Sequence, residues 1–343
     1  MSSRNKSIPS SSPRRPAPTI DIVVPCFNEE DVLPTLFERL SALQTELVSE
    51  QLICGQLRVI LVDDGSCDAT WKIIQEGDPR LLIHGLKLSR NQGHQIALVA
   101  GLESSQSDVA ISMDADLQDD PRAAIQMVQA YCEGAEIVFG VRAARKSDRF
   151  VKRTAAQGFY RVLNWLGAET IPDHADYRLM SQRALDALGS YGESNLYLRG
   201  LVHQIGLKTA VVKYDRGCRA AGESKYNLGR MIALALDGIT SFSVRPLRLI
   251  TAFGIGVAAL SFALIAYSLF VWARGDVLPG WTSTVLPIYF LGGVHLVALG
   301  VIGEYIGKIY TETKRRPRYI IDEEIQNDVA ISGAIKRSVK VAE

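Results

Sequence analysis

The sequence predicts an α/β protein built on a mostly parallel sheet with helices on both faces. From Ile20 to about Tyr214, short apolar runs alternate with amphipathic stretches. Several of these runs are apolar on both faces, which is typical of strands that are covered on both sides. A polar cluster follows each run. Strand and helix in regular alternation predict a parallel sheet enclosed by helices.

The individual strands and helices follow in chain order. The predicted strands are IDIVVP at 20–25, LRVILVDD at 57–64, LLIHGLKLS at 81–89, DVAISMDAD at 108–116 and AEIVFGVR at 135–142. The helices between them include EDVLPTLFERLSALQTEL at 30–47 and HQIALVAGLESS at 94–105. The polar clusters at the strand ends are PCFNEE, DDGSCD, SRNQGH, DADLQ and GVRAARK. Since ligands of such sheets bind beyond the carboxyl ends of the strands, these clusters predict one shared site.

Composition and charge argue against several classes of protein. The chain has 343 residues, and its 38 Lys and Arg against 37 Asp and Glu leave a net charge of +1. A general nucleic-acid binder would carry a strong basic excess, so we expect no nucleic-acid partner. The five cysteines form no C-x-x-C pair and predict neither a zinc site nor a full disulfide framework. Residues 1–19 are rich in Ser, Pro and Arg and lack an apolar core, which predicts a disordered cytoplasmic arm.

Two apolar stretches in the C-terminal third predict a transmembrane hairpin at 249–310, with helices at about 249–273 and 285–307. The first stretch has no charged residue, and neither has 285–303 in the second. About 20 apolar residues are enough to cross a bilayer. Basic residues flank the hairpin, so the positive-inside rule places the preceding domain and both termini in the cytoplasm. Two buried helices of a soluble protein are the alternative.

The segments that adjoin the hairpin also carry predictions. Residues 222–248 mix apolar positions at helical spacing with basic residues, which predicts amphipathic helices lying along lipid headgroups. An ordinary surface helix is the alternative. Residues 311–343 are predicted to be a cytoplasmic tail. Five glycines of the second stretch include small-xxx-small spacings that permit close helix contact in a homo-oligomer, although glycine is common in membrane helices anyway. They are Gly292, Gly293, Gly300, Gly303 and Gly307.

The stretch SMDADLQDD at 112–120 predicts a site for a hard divalent cation. Asp114, Asp116 and Gln118 are spaced by two, so in an extended backbone their side chains can face one cavity. Mg²⁺ accepts one or two protein carboxylates and completes its shell with water and substrate phosphate. A D-x-D also occurs often by chance, and a solvated acidic loop is the alternative. Its position after an apolar strand favours the site.

The first two strand ends carry further acceptor groups. VVPCFNEE supplies Pro25, Asn28 and Glu29, and LVDDGSCD supplies Asp64 with Ser66 and Asp68. Carboxylates there can accept hydrogen bonds from a base or from ribose hydroxyls. A strand terminator and helix N-cap is an equally good interpretation of DDGS, and both roles can coexist.

The ordered motifs together resemble a known family. VPCFNEE, VDDGSCDAT, SRNQGHQIAL, DADLQDDP, GVR, HADYRLM and GESKY occur in the order typical of family 2 glycosyltransferases with a GT-A fold. More narrowly, the chain resembles the polyprenyl-phosphate glycosyltransferases, which include dolichol-phosphate mannose synthases and bactoprenol glucosyltransferases with a two-helix membrane hairpin. The resemblance covers about residues 20–318. It implies a catalytic domain at 20–221 with a GT-A, Rossmann-like sheet.

The resemblance also implies roles for individual residues. Asp114, Asp116 and Gln118 would hold Mg²⁺ or Mn²⁺ on the diphosphate of a nucleotide sugar, with Asp116 counted as catalytic. Pro25, Asn28, Glu29 and Asp64 would line the nucleotide pocket. Asp176 would lie near the acceptor, and phosphates would meet the cations Arg142, Arg178, Arg219 and Lys225. Tyr177 departs from the Gly-Phe or Ser-Phe of many relatives. Ion pairing with the acidic loops is the alternative for the arginines.

The implied reaction is transfer of a hexose from a nucleotide sugar to a polyprenyl phosphate at the cytoplasmic face of the membrane, with inversion at the anomeric carbon. UDP-glucose and undecaprenyl phosphate are the expected substrates, and GDP-mannose or a UDP-linked aminosugar are alternative donors. A processive polysaccharide synthase shares the fold, but the sequence has no Q-x-x-R-W segment. A non-catalytic nucleotide-binding membrane module is the alternative of another class.

Overall fold

The computed structural model describes residues 14–142, 174–192, 198–214, 245–274, 280–327 and 337–341. The chain divides into two compact units. The described residues of the first unit form a sheet with flanking helices, and those of the second form two long helices.

The described residues contain nine strands. They are β1 (Ile20–Cys26), β2 (Arg58–Asp63), β3 (Leu82–Leu88), β4 (Val109–Ser112), β5 (Ile137–Arg142), β6 (His174–Ser181), β7 (Thr209–Tyr214), β8 (Ile320–Asn327) and β9 (Arg337–Val341). The described helices are α1 (Leu33–Ser49), α2 (Thr70–Glu76), α3 (His94–Glu103), α4 (Ala123–Cys132), α5 (Gln182–Gly189), α6 (Leu198–Gln204), α7 (Arg245–Ala273) and α8 (Trp281–Thr313).

All nine strands belong to one sheet in the order β7-β5-β6-β4-β1-β2-β3-β8-β9. The central strands β4, β1, β2 and β3 are parallel neighbours. Only β6 and β8 run against the rest, because β6 is antiparallel to β4 and β5, and β8 to β3 and β9. The predicted α/β class with a mostly parallel sheet is therefore confirmed. The five predicted strands all form, whereas β6 to β9 were not predicted.

The helices of the first unit bury the apolar faces that their sequences predict. α1 buries leucines at spacings of three and four, which is the apolar stripe of an amphipathic helix. α3 packs close to the sheet at Gly101, where a Cβ atom would lie 2.3 Å from Cγ1 of Val23. Glycine is therefore required at this position for the helix to approach β1 and β2.

The last residues of the predicted disordered arm are held against the sheet unit. The guanidinium of Arg15 donates to a carboxylate oxygen of Glu136 at 2.5 Å, and it stacks over the ring of Tyr131 at 4.6 Å. The side chain of Thr19 donates to Asp108 at 2.8 Å. For residues 14–19 the prediction of disorder is therefore wrong, because Arg15 and Thr19 find charged partners that lie more than 80 residues away in sequence.

The chain returns to the sheet beyond the second apolar stretch. The predicted catalytic domain ended at residue 221, but β8 pairs with β3 inside the segment predicted as a tail. Lys87 donates to Glu323 at 2.8 Å, and Nε2 of His84 lies 2.9 Å from Oε1 of Glu324. Tyr319, just before β8, is buried and donates its hydroxyl to Glu103. Residues 319–327 are thus part of the sheet unit.

We expect the sheet unit to lose stability as the pH falls, through His84 on β3. Burial lowers the pKa of His84, despite the opposing effect of Glu324. An unfolded histidine therefore takes up a proton at a higher pH than the folded one, so the free energy of unfolding decreases as the pH falls through the ordinary range near 6.5. The loss of melting temperature between pH 7.5 and pH 5.5 should be larger in the wild type than in His84→Gln. Equal losses in both proteins would contradict this origin.

The second unit contains the two long helices expected from the apolar stretches. α7 and α8 begin four residues before the predicted helices, and α8 ends six residues later than predicted. Within the described residues one window, Phe290–Thr313, is long and apolar enough to cross a membrane, and none of it is buried. The two-span hairpin and its orientation stay predictions. Residues 222–244 of the predicted interfacial segment lie outside the described residues.

Candidate active site

The carboxyl ends of the central strands surround a cleft of about 420 Å³. Its described lining is Pro25, Cys26, Phe27, Glu29, Asp64, Asn91, Gly93, His94, Asp114, Ala115, Asp116 and Asp176. Four of the five predicted polar clusters thus meet at one edge of the sheet. The fifth, GVRAARK, lies mostly outside the described residues.

The loops after β1 and β2 are joined by reciprocal hydrogen bonds. The backbone N–H of Asn28 donates to Oγ of Ser66 at 2.9 Å, and Oδ1 of Asn28 accepts from the backbone N–H of Cys67 at 2.9 Å. The N–H of Glu29 donates to Oγ1 of Thr70 at 2.8 Å. Asn28 has a φ of 55°, in the left-handed region that asparagine tolerates better than most residues. Asn28 therefore joins the two loops and is absent from the described lining, while Pro25 and Glu29 line the cleft.

Asp64 fixes the loop that leads into α3. Its Oδ1 accepts from the N–H of Gln92 at 2.7 Å and its Oδ2 from the N–H of Gly93 at 2.9 Å. Burial raises the pKa of Asp64 in spite of these bonds. The neighbouring Gly65 has a φ of 71°, and a Cβ there would lie 2.6 Å from the backbone N of Asn91. Asp64 lines the cleft, with both oxygens already engaged.

Two aspartates of the acidic stretch after β4 enter the cleft. Asp114 and Asp116 line it together with the intervening Ala115, while Met113 and Leu117 are buried in the core. With a spacing of two, both carboxylates reach the same cavity. Gln118 is only 2% exposed and is not among the described lining residues, so two of the three predicted metal ligands share the cleft.

Negative charge accumulates at this edge. Burial raises the pKa of Asp114, and the charges of Asp176, Asp119 and Asp116 raise it further, while His94 opposes them. Burial also raises the pKa of Glu29, with the charges of Asp116, Asp68 and Asp114 adding to the effect. Carboxylates that perturb one another in this way favour a bound cation.

The carboxylates fit a cation that also takes ligands from a substrate. Across the described part of the chain, no three His, Cys, Asp or Glu side chains form a ready-made metal cage. Oδ1 of Asp114 is buried and has no hydrogen-bond partner among these residues. One or two carboxylates are enough for Mg²⁺ when phosphate and water complete its shell, so Asp114 and Asp116 suit Mg²⁺ or Mn²⁺ bound to a diphosphate.

Asp176 reaches the cleft from β6, together with a buried arginine. Nη2 of Arg178 donates to Oδ1 of Asp176 at 2.6 Å, and the arginine is 1% exposed. The expectation that Arg178 meets a phosphate is not met here, because its guanidinium is enclosed and paired with a carboxylate. Arg142 ends β5, but its side chain lies outside the described part of the structure. Arg219 and Lys225 lie outside the described residues.

The sequence reasoning missed His94. Its Nε2 lies 3.4 Å from Oδ1 of Asp114 and 3.7 Å from Oδ2 of Asp176. Phe27, Asn91 and Gly93 also line the cleft without having been predicted as site residues. The available signal was the position of SRNQGH directly after β3, which made it one of the five strand-end clusters.

Comparison with known proteins gives a consistent result. Residues 21–189 match the family described as glycosyl transferase family 2. The uncharacterized glycosyltransferase YkoT of Bacillus subtilis is 48% identical over 91% of this chain and 93% of its own length. A bactoprenol glucosyl transferase of Shigella phage SfV is 38% identical over 90% of this chain and 99% of its own length. Among solved structures, a mannosyltransferase from Pyrobaculum calidifontis in complex with GDP-Man and Mn²⁺ is 18% identical, with a TM-score of 0.42 over 88% of each chain.

Proposed function

The chain belongs to glycosyl transferase family 2 and is a glycosyltransferase, and from this premise we propose that it transfers glucose from UDP-glucose to undecaprenyl phosphate. The relatives named bactoprenol glucosyl transferase support this choice of sugar and acceptor, because they match nearly the whole chain. The reaction needs a divalent cation, either Mg²⁺ or Mn²⁺.

The observation that carries the proposal is the charge of the cleft. Five of its described lining side chains are carboxylates, and one is basic. They are Glu29, Asp64, Asp114, Asp116 and Asp176, with His94 as the base. A cleft so acidic would repel a nucleotide diphosphate on its own, so a cation must accompany the donor. Cation and diphosphate together then match the cleft in charge.

The residues of the cleft have separate tasks in this proposal. Asp114 and Asp116 hold the donor through its cation, which when bound offsets the negative charge that builds up on the departing nucleoside diphosphate. Glu29 and the loop fixed by Asp64 enclose the nucleotide. Asp176 lies at the acceptor side and orients the lipid phosphate. We further propose that the cationic side chains of Arg219 and Lys225 bind phosphate groups of the substrates.

The acceptor needs little activation. A lipid phosphate is already ionised at neutral pH, so its oxygen can form the bond to the anomeric carbon without giving up a proton. The bond from that carbon to the β-phosphate oxygen breaks, and UDP leaves. Attack from the opposite face inverts the configuration. Asp176 is therefore needed for position and charge more than for proton removal.

The apolar helices suit a lipid acceptor. A polyprenyl chain stays in the bilayer, so the enzyme must work at its surface. We propose that α7 and α8 both span the membrane, that residues 222–248 lie along the headgroups, and that the sheet unit and both termini are cytoplasmic. We also propose that copies of the chain contact one another through the glycines of α8.

The test is transfer of radiolabel from UDP-glucose to undecaprenyl phosphate by the purified full chain, with Mg²⁺, Mn²⁺ or EDTA. Metal-dependent label in the lipid phase supports the proposal, and NMR of the product reports the configuration. If label is transferred only from GDP-mannose or a UDP-aminosugar, the proposed donor is wrong and the enzyme class is kept. No transfer from any of them would overturn the lipid-linked reaction.

A further inference from the structure

We infer that His94 is a positioning residue, which holds Asp176 of the acceptor side at a fixed place relative to Asp114 of the donor side. The inference rests on the proposed function, because the two sides take their names from it. It concerns a residue to which neither the motif resemblance nor the relatives assign a role.

The placement of His94 between two carboxylates carries the inference. Its Nε2 lies 3.4 Å from Oδ1 of Asp114 and 3.7 Å from Oδ2 of Asp176. Both distances are longer than a normal hydrogen bond, so a small movement toward either carboxylate forms one at the expense of the other. Among the described residues that line the cleft, His94 is the one basic side chain. It therefore lies between the carboxylate of the donor side and that of the acceptor side.

The backbone that leads into His94 is held by hydrogen bonds. It is the first residue of α3 and follows Gly93, whose φ of 95° is a conformation suited to glycine. The N–H groups of Gln92 and Gly93 both donate to the buried carboxylate of Asp64. The C-terminal end of α3 is also anchored, through Glu103, by Arg318 and Tyr319. Both ends of α3 are thus attached to other parts of the sheet unit, and the side chain of His94 can orient the carboxylates beside it.

Asp176 is held from its other side by Arg178. The guanidinium of Arg178 takes Oδ1, and the imidazole of His94 faces Oδ2. Arg178 and His94 thus lie against different oxygens of Asp176, so His94 adds a second restraint on this carboxylate.

The experiment is a double-mutant cycle in the full chain. We expect His94→Ala to lower kcat for transfer on the order of 100-fold, as a misplaced reacting group does, with the donor KM near that of the wild type. His94→Gln should recover part of the loss, since its amide can donate to Asp176. In an Asp176→Asn background, His94→Ala should cost little more. Gln95→Ala, on the same helix but outside the cleft, is the control with wild-type activity.

A second readout needs neither donor nor metal. The free energies of unfolding of His94→Ala and Asp176→Asn should be non-additive in the metal-free protein, because the two side chains are in contact. The inference would be overturned if His94→Ala lowered kcat equally in the wild-type and Asp176→Asn backgrounds. It would also be overturned if His94→Ala raised the donor KM and left kcat unchanged. If the wild type transfers nothing from UDP-glucose to undecaprenyl phosphate, the proposed function fails by itself. The unfolding cycle then still decides about His94, and additive free energies would reject the contact.

Discussion

Asp116→Asn is expected to abolish metal-dependent transfer, with a loss on the order of 1,000-fold in kcat/KM. The substitution keeps the size of the side chain and removes its charge at a position that lines the cleft. A cation that stabilises the leaving diphosphate supplies several kcal/mol in the transition state, and about 4 kcal/mol correspond to this factor. Calorimetry should show that Mn²⁺ strengthens binding of UDP-glucose to the wild type and not to the variant.

Asp120→Asn is the matched control for this prediction. It removes the same charge from the same acidic stretch, but Asp120 is exposed, accepts from the N–H of Arg122 and is absent from the described lining of the cleft. Transfer by Asp120→Asn should stay close to that of the wild type. If both variants lose activity equally, the general acidity of the loop matters and Asp116 has no special role.

Arg178→Met is expected to destabilise the protein by roughly 3–5 kcal/mol, the cost of breaking a buried ion pair by removing one partner. Arg178 is fully buried in β6, and its guanidinium contacts Asp176 at 2.6 Å. Without the arginine, the carboxylate of Asp176, whose side chain is 8% exposed, loses the positive charge with which it pairs. Chemical or thermal unfolding of the purified protein measures the loss.

Two further variants separate this role from phosphate binding. The double variant Asp176→Asn with Arg178→Met should be more stable than Arg178→Met alone, because no unpaired charge remains. Arg183→Met, at an exposed position of α5, should change the free energy of unfolding by less than about 0.5 kcal/mol. An Arg178→Met protein of normal stability with a raised donor KM would instead support the phosphate contact that the sequence suggested.

The contrast between Asp116 and Arg178 shows how far sequence reasoning reached. The spacing of two between Asp114 and Asp116 is a local property of the chain, and it predicted that both carboxylates reach one cavity. The prediction of one shared site followed just as directly, because the carboxyl ends of parallel strands lie at the same edge of the sheet. The charge of Arg178 was visible in the sequence, but its burial was not.

The sequence by itself determined the α/β class, the five strands up to residue 142, the polar edge of the sheet and the two long apolar helices. Only the tertiary structure decided that β6 lies antiparallel between β4 and β5, and that β8 joins the sheet after the apolar stretches. It alone placed His94 between Asp114 and Asp176. The physical reason is range: periodicity and turn chemistry act between near neighbours in the chain. The burial of Arg178 and the position of His94 depend instead on which distant segments the sheet brings side by side.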